Sequence, residues 1–296
     1  MQEDDVPGKL VICPTPLGNL GDMTVRALEV LRAADVVCAE DTRVTGKLLV
    51  ALGIEGRRLE RLDENLVGER ADEIAARVLA GETIAYCSDA GMPGVSDPGL
   101  RLVRVAREVG APVEVLPGPT AVATAYVASG TTSTNFYFGG FFPRKDAARK
   151  QLLDSLKGLD AALVFYESPN RLVSSLDSIA ESLPYRDIAV CRELTKLHEE
   201  IVRGSIDEVK EQFESRESIK GEIVLVIDAP NDLEIRAANA FAAASAEERA
   251  VELLAQGERP KLVAKTIAEE FGISRNEAYE MVLTKKGQPQ FGCQAE

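Results

Sequence analysis

From Lys9 to about Ser129, short runs of β-branched residues alternate with amphipathic stretches of about 10 residues, and this alternation restricts the fold more than any other feature of the chain. Repeated strand-then-helix patterning is the signature of a mostly parallel sheet with crossover helices. The spacing predicts strands at Leu10–Cys13, Val36–Ala39, Arg58–Leu62, Thr83–Ser88 and Val113–Leu116. It predicts helices at Met23–Arg32, Val44–Leu52, Gly68–Ala80 and Gly99–Val109. Every strand ends in a turn rich in Gly, Pro, Asp or Thr, and in an open α/β sheet the carboxyl ends of the strands are where ligands bind.

A second cycle starts near Asn135, with strands expected at Phe136–Phe142, Ala162–Tyr166, Ile188–Arg192, Glu200–Arg203 and Glu222–Ile227. Helices are expected between them at Ala147–Leu156, Asn170–Glu181 and Ile206–Phe213. The strands around Ile188 and Ile201 are separated by so few residues that they should pair as a hairpin, which makes the second sheet mixed. After Ala229 the pattern dissolves into Asn, Asp and Ala, then resumes as a small helical unit. Three domains are therefore expected: an α/β domain at 8–130, a second α/β domain at 135–230 that completes a cleft, and a helical unit at 243–287. In the last, Lys261–Phe271 ends at Gly272, and Ser274 with Glu277 three positions on forms a capping box, the local chemistry of a helix-turn-helix. Such a unit either contacts nucleic acid or packs as a helical hairpin.

A length of 296 residues suits two cores with a cleft between them. No run approaches the roughly 20 apolar residues of a membrane span, and the acidic start does not fit a secretion signal, so a cytoplasmic protein without a membrane partner is expected. Cys13, Cys38, Cys87 and Cys191 sit in apolar runs, with Cys293 in the tail, and read as reduced thiols. The net charge of −14 opposes non-specific coating of nucleic acid but not a local basic groove. Arg144, Lys145, Arg149 and Lys150 form one cluster that could be such a groove or a solvated helix face.

Several catalytic schemes fail. His198 is the only histidine and no GxSxG turn accompanies it, so hydrolase triads are excluded, and neither GxxxxGK[ST] nor GxGxxG is present. Three loops remain at strand ends: Pro14–Asp22, Ser88–Gly99 and Leu116–Ala121. The first places Pro14, Pro16, Gly18 and Gly21 where a rigid turn exposes bare backbone. The second packs three glycines, two prolines and two aspartates into a short segment, and its aspartates can accept hydrogen bonds from an ammonium or a ribose hydroxyl. A magnesium-dependent phosphohydrolase could also gather Asp41, Asp89 and Asp97 at strand ends. A DNA-binding regulator using the helical unit is a further alternative.

Together these loops resemble those of the tetrapyrrole methylase superfamily. Pro14–Asp22, Ala39-Glu40-Asp41-Thr42-Arg43, Ser88–Gly99, Phe141-Phe142-Pro143-Arg144, Tyr166–Arg171, Arg192–Lys196 and Lys220-Gly221-Glu222 look like the signatures of its branch that methylates small-subunit ribosomal RNA. The resemblance covers about Lys9 to Asp228. It implies S-adenosylmethionine as donor and methyl transfer to the 2′-hydroxyl of a cytidine in the decoding region of 16S rRNA, with rRNA in the ribosomal subunit as partner and a homodimer as the assembly. By the family pattern, Pro16, Leu17, Gly18, Asp89, Ala90, Gly91, Met92, Pro93, Thr120 and Ala121 bind the donor from the first domain. Tyr166, Leu194 and Ile223 bind it from the second. A ribose hydroxyl is a poor nucleophile, so a base or a cation should assist. The candidates are Glu40, Asp41, Arg43, Glu167 and Glu193, with Arg43, Arg144, Lys145 and Arg171 as cations for RNA. No metal is implied.

Overall fold

The computed structural model describes residues 8–286. The residues up to Ala229 form one compact unit and those from Pro230 onward another. Ten strands and eleven α-helices follow in chain order among the described residues. The first sheet comprises β1 (Leu10–Ile12), β2 (Val36–Ala39), β3 (Leu59–Arg61), β4 (Ile84–Cys87) and β5 (Val113–Val115), in the order β3-β2-β4-β1-β5, parallel throughout. Its helices are α1 (Val25–Ala33), α2 (Thr42–Ala51), α3 (Glu64–Leu79), α4 (Gly99–Glu108) and α5 (Ala121–Ala128). The chain leaves β1 toward β2 but leaves β4 toward β5 on the other side. The adjacent ends of β1 and β4 are thus a switch point, where the outgoing loops diverge and open a crevice.

The second sheet comprises β6 (Phe136–Phe141), β7 (Ala162–Glu167), β8 (Asp187–Arg192), β9 (Glu200–Ser205) and β10 (Ile223–Ile227), ordered β6-β7-β10-β8-β9. Only β6 and β7 run parallel, and β8 and β9 form the expected hairpin, so this sheet is mixed. β10 lies at its centre and is buried along its whole length, as its unbroken Ile-Val-Leu-Val-Ile run requires. Helices α6 (Asp146–Leu156), α7 (Leu172–Ser182) and α8 (Ile206–Glu214) accompany this sheet, with Leu153, Leu176, Ile179, Val209 and Phe213 in its core. The thiols of Cys13, Cys38, Cys87 and Cys191 are buried and unpaired, while Cys293 lies outside the described residues.

Three elements differ from the sequence expectation. Helix α3 begins at Glu64 instead of Gly68, because Asp63 caps it by accepting from the N–H groups of Asn65 and Leu66 (both 3.1 Å). Gly68 is then internal, where a Cβ would lie 3.1 Å from the Arg101 guanidinium. Helix α5 was not expected at all, since Ala-Val-Ala-Thr-Ala-Tyr-Val-Ala lacks a polar face and shows no helical period. In the second unit, the segment after Ala229 that reads as an interruption is the first half of α9 (Asp232–Ala255), capped by Asn231, whose side chain accepts from the Glu234 N–H. Its many alanines favour helix without supplying an apolar stripe.

That unit continues as α10 (Pro260–Phe271) and α11 (Arg275–Lys286), with Ala246, Ala250, Val263, Ile267, Ala278 and Val282 as its core. Gly272 ends α10 in the left-handed region at φ 65°. Ser274 and Glu277 form the expected reciprocal cap, Glu277 N–H donating to Ser274 Oγ (3.2 Å) and Ser274 N–H donating to Glu277 Oε2 (3.0 Å).

Arg149, grouped by sequence with surface cations, is instead buried beneath α7. Its guanidinium donates to the carbonyls of Pro143 (3.0 Å) and Arg144 (3.2 Å) and to the hydroxyls of Ser174, Ser175 and Ser178 (each 3.2 Å). An arginine fork can satisfy five acceptors where no apolar side chain can. Arg149→Met should therefore destabilise the protein by about 1–3 kcal/mol, the cost of stranding buried acceptors. Urea denaturation checks this, and an unchanged midpoint would show that the serines and carbonyls re-pair without it.

Candidate active site

The loops after β1, β4 and β5 meet the ends of β7, β8 and β10 around a cleft of about 480 Å³. Its first wall is organised by a two-way backbone bridge. Thr15 N–H donates to Gly91 O (3.0 Å), Gly91 N–H donates to Thr15 O (3.1 Å), and Thr15 Oγ1 donates to Ser88 O (3.3 Å). Gly91 has φ 79°, and a Cβ there would sit 3.1 Å from Leu17 and 3.5 Å from Pro119 O. Glycine is thus required twice over, by conformation and by proximity. Within the same loop Asp97 accepts from the N–H groups of Gly94 (2.8 Å) and Gly99 (2.9 Å), tying the turn to the start of α4.

Of the residues expected at the donor, Leu17, Asp89, Ala90, Gly91, Met92, Thr120, Ala121, Tyr166, Leu194 and Ile223 line the cleft. Pro16, Gly18 and Pro93 do not. Gly18 lies beneath the Lys196 side chain, where a Cβ would be 2.3 Å from Cγ, and Pro93 is buried behind the loop. The donor set implied by the family pattern leaves out Asp97, Phe141, Cys191, Glu222 and Val224, which are among the further residues that line it. All but Cys191 and Val224 fall within motifs already singled out, so extending each motif to its full length would have found them.

The five catalytic candidates separate. Glu40 lines the cleft, half-buried, with no ion pair among the described residues. Burial raises its carboxyl above the usual range, and the neighbouring charges of Asp89 and Asp97 raise it further. Burial likewise raises Asp89, which accepts from the Asp41 N–H (3.0 Å), and Asp97. Asp41 is turned away as the cap of α2, accepting from the Arg43 N–H (2.8 Å) and pairing with Arg43 Nη2 (2.5 Å), whose hydrogen bonds hold it far below the carboxylate range. Glu193, in the left-handed region at φ 52°, accepts from the N–H of Glu222 and from Lys196 Nζ (both 2.9 Å), which lower its carboxyl in that order.

Glu167 is buried and bound by Arg171 Nη2 (2.5 Å), Ser175 Oγ (2.5 Å) and the Ser168 N–H (2.6 Å). Glu167, expected as a catalytic candidate, is thus braced at the cleft wall, and Arg171, expected as an RNA cation, is part-buried and paired with it. Arg43, with 86% of its side chain exposed, and Arg144 and Lys145 remain open to solvent. Asp41, Asp89 and Asp97 point to different partners, and among the described residues no group of three His, Cys, Asp or Glu side chains is arranged to hold a metal ion.

The cleft combines acidic groups (Glu40, Asp89, Asp97), apolar walls (Leu17, Met92, Leu194, Ile223) and an exposed residue at Ala90. That set suits a molecule with cationic centres and a flat heterocycle. The profile of the Tetrapyrrole (Corrin/Porphyrin) Methylases matches residues 9–210. A ribosomal RNA small subunit methyltransferase I of Micromonospora olivasterospora is 38% identical over 93% of this chain and 86% of its own length. The protein of the same description from Escherichia coli is 40% identical over 96% of this chain and 98% of its own. The crystal structure of uroporphyrin-III-C-methyltransferase from Thermus thermophilus superposes with a TM-score of 0.51 at 22% identity, over 75% of this chain and 94% of that one, a likeness of fold.

Because the folded protein raises the Glu40 carboxyl, its ionised form opposes folding above that raised value, and the opposition fades as pH falls toward the ordinary glutamate range. Glu40→Gln should therefore be more stable than the parent at pH 7.5, by less than about 1 kcal/mol given solvent screening of a partly exposed group. The gain should shrink at pH 5. A variant that is less stable at pH 7.5 would mean the carboxylate is held by favourable contacts.

Proposed function

Since this chain belongs to the tetrapyrrole methylases and, within them, to the ribosomal RNA small subunit methyltransferase I family, we propose that it transfers a methyl group from S-adenosylmethionine to the 2′-hydroxyl of a cytidine in the decoding region of 16S rRNA. The observation that carries the reading is the cleft itself, which interleaves acidic and apolar side chains and lies within the stretch that the family profile matches. Leu17, Met92, Leu194 and Ile223 would enclose the adenine, and Asp89 would accept hydrogen bonds from polar groups of the donor. Bound there, the donor supplies an electrophilic methyl on a sulfonium.

The protein's part is to align the acceptor oxygen with that methyl, exclude water and accept a proton, and alignment alone can account for much of the rate. Glu40 is the candidate base. Among the described residues its carboxyl carries no ion pair, and burial raises it above the usual range, which makes it a better proton acceptor. Glu40 would take the proton that the acceptor hydroxyl gives up as its oxygen receives the methyl. Arg43, Arg144 and Lys145 would hold phosphates at the rim. The same reading places the reaction in the cytoplasm, on the ribosomal subunit, with a homodimer as the working assembly.

Methyl-labelled donor incubated with small subunits lacking the modification should label one ribose in the decoding region, and a label on a base or elsewhere would overturn the assignment. In that assay Asp89→Ala should weaken donor affinity by about 10-fold through loss of a charge-assisted contact. Arg43→Ala and Arg144→Ala should leave donor affinity unchanged, weaken RNA binding at low salt, and each reduce the slope of log affinity against log salt by about 1. Loss of donor binding with an unaltered salt slope would remove either arginine from the RNA side.

A further inference from the structure

Phe141 is 63% exposed and lines the cleft. The backbone is built to keep it there. β6 pairs with β7 in regular register from Phe136 to Phe138, then the register shifts before Phe141. The shift falls on Gly139 and Gly140. Gly140 has φ 70°, and a Cβ on Gly139 would lie 2.2 Å from Cε1 of Phe165. A bulge of this kind re-aims the side chains that follow it. Its result here is to send Phe142 inward, 1% exposed with its ring centroid 4.8 Å from that of Phe165, and to leave Phe141 on the cleft side. Phe141 meets Tyr166 edge to face at 5.4 Å and 69°, a contact that leaves most of its surface accessible. Burying such a ring would stabilise the fold by roughly 1.5–3 kcal/mol, which this arrangement forgoes.

A nucleotide drawn from a single-stranded region into a cleft loses the stacking of its neighbours, and an aromatic side chain can replace it. We propose that Phe141 is the platform on which the base of the acceptor nucleotide stacks, a positioning contact that orients the ribose toward Glu40 and the donor. This rests on the rRNA reading above. The exposed Arg144, three residues further on, offers a cation for the phosphate of the same nucleotide. Stacking on an aromatic ring uses the π-face that every base has, so the platform holds the nucleotide without reading its identity.

The test compares Phe141→Ala, Phe141→Leu and Phe141→Trp with the parent in single-turnover methyl transfer to unmodified small subunits, with donor affinity measured by calorimetry. The Ala and Leu variants should lose about 10- to 100-fold in kcat/KM for the subunits, the range a base–aromatic stack contributes, while Trp stays within about threefold of the parent. Donor affinity should be the same in all four. A Leu variant as active as the Trp variant would reduce Phe141 to an apolar filler, and donor affinity falling in step with activity would assign the ring to the donor's adenine. Full activity in the Ala variant would also overturn the proposal. A parent enzyme that binds donor but labels no rRNA would instead sink the rRNA reading, a result that no behaviour of Phe141 could mimic.

Discussion

The reciprocal hydrogen bonds between Thr15 and Gly91 join the loops leaving β1 and β4, and the first wall of the cleft depends on that junction. The two strands are neighbours whose chains depart in opposite directions, so their loops would diverge if nothing held them. The bridge holds them through backbone groups alone, leaving Leu17, Asp89 and Met92 free to face the cleft. The loop after β5 closes against the same junction, since a Cβ at Gly118 would lie 2.5 Å from Pro14. Three loops separated by many residues thus behave as one surface, and the small residues in them are those that close backbone approach demands.

The opposite wall is held differently. Arg149 and Glu167 are both buried, and Ser175 contacts each of them, accepting from one and donating to the other. Arg171 and the Ser168 N–H complete the coordination of Glu167. A buried charge is costly unless it is paired and fully hydrogen-bonded, and here the partners come from α6, α7 and the turn after β7. This network fixes the turn that carries Ser168 and Pro169 into the cleft. Among the described residues Glu40, Asp89 and Asp97 form no ion pair, although Asp89 and Asp97 accept backbone N–H groups. Burial raises all three carboxyls, and a cationic ligand beside them would favour their ionised forms.

A protein of net charge −14 that works on RNA needs its cations concentrated where contact occurs. Many of its arginines are committed elsewhere: Arg70 and Arg77 to Glu60, Arg192 and Arg216 to Glu200, and Arg203 to Asp228. Arg144 and Lys145 are exposed at the start of α6, and Arg43, though paired with Asp41, is open to solvent. Repulsion by the remaining surface would then favour substrates presented in one orientation over general adhesion to RNA.

The sequence by itself determined the alternation of strands and helices, the mixed second sheet, and the loops that become the cleft, because periodicity, hairpin spacing and Gly-Pro-Asp turns are local properties of the chain. It also carried the Ser274–Glu277 cap, which needs only two side chains one turn apart. Helix α5 escaped because an all-apolar segment has no period to read, and the first half of α9 because alanines favour helix without marking a face. Only the tertiary structure decided the charges and the rings. Arg149 and Glu167 look like surface or catalytic residues until packing buries them, with the part-buried Arg171 paired to Glu167, and Glu40 is separated from Asp41, its neighbour in sequence, only because one faces the cleft and the other caps α2. Phe141 and Phe142 are identical side chains, and a one-residue register shift sends the second into the core and leaves the first exposed. Burial, pairing and direction depend on residues distant in the chain, and no local pattern encodes them.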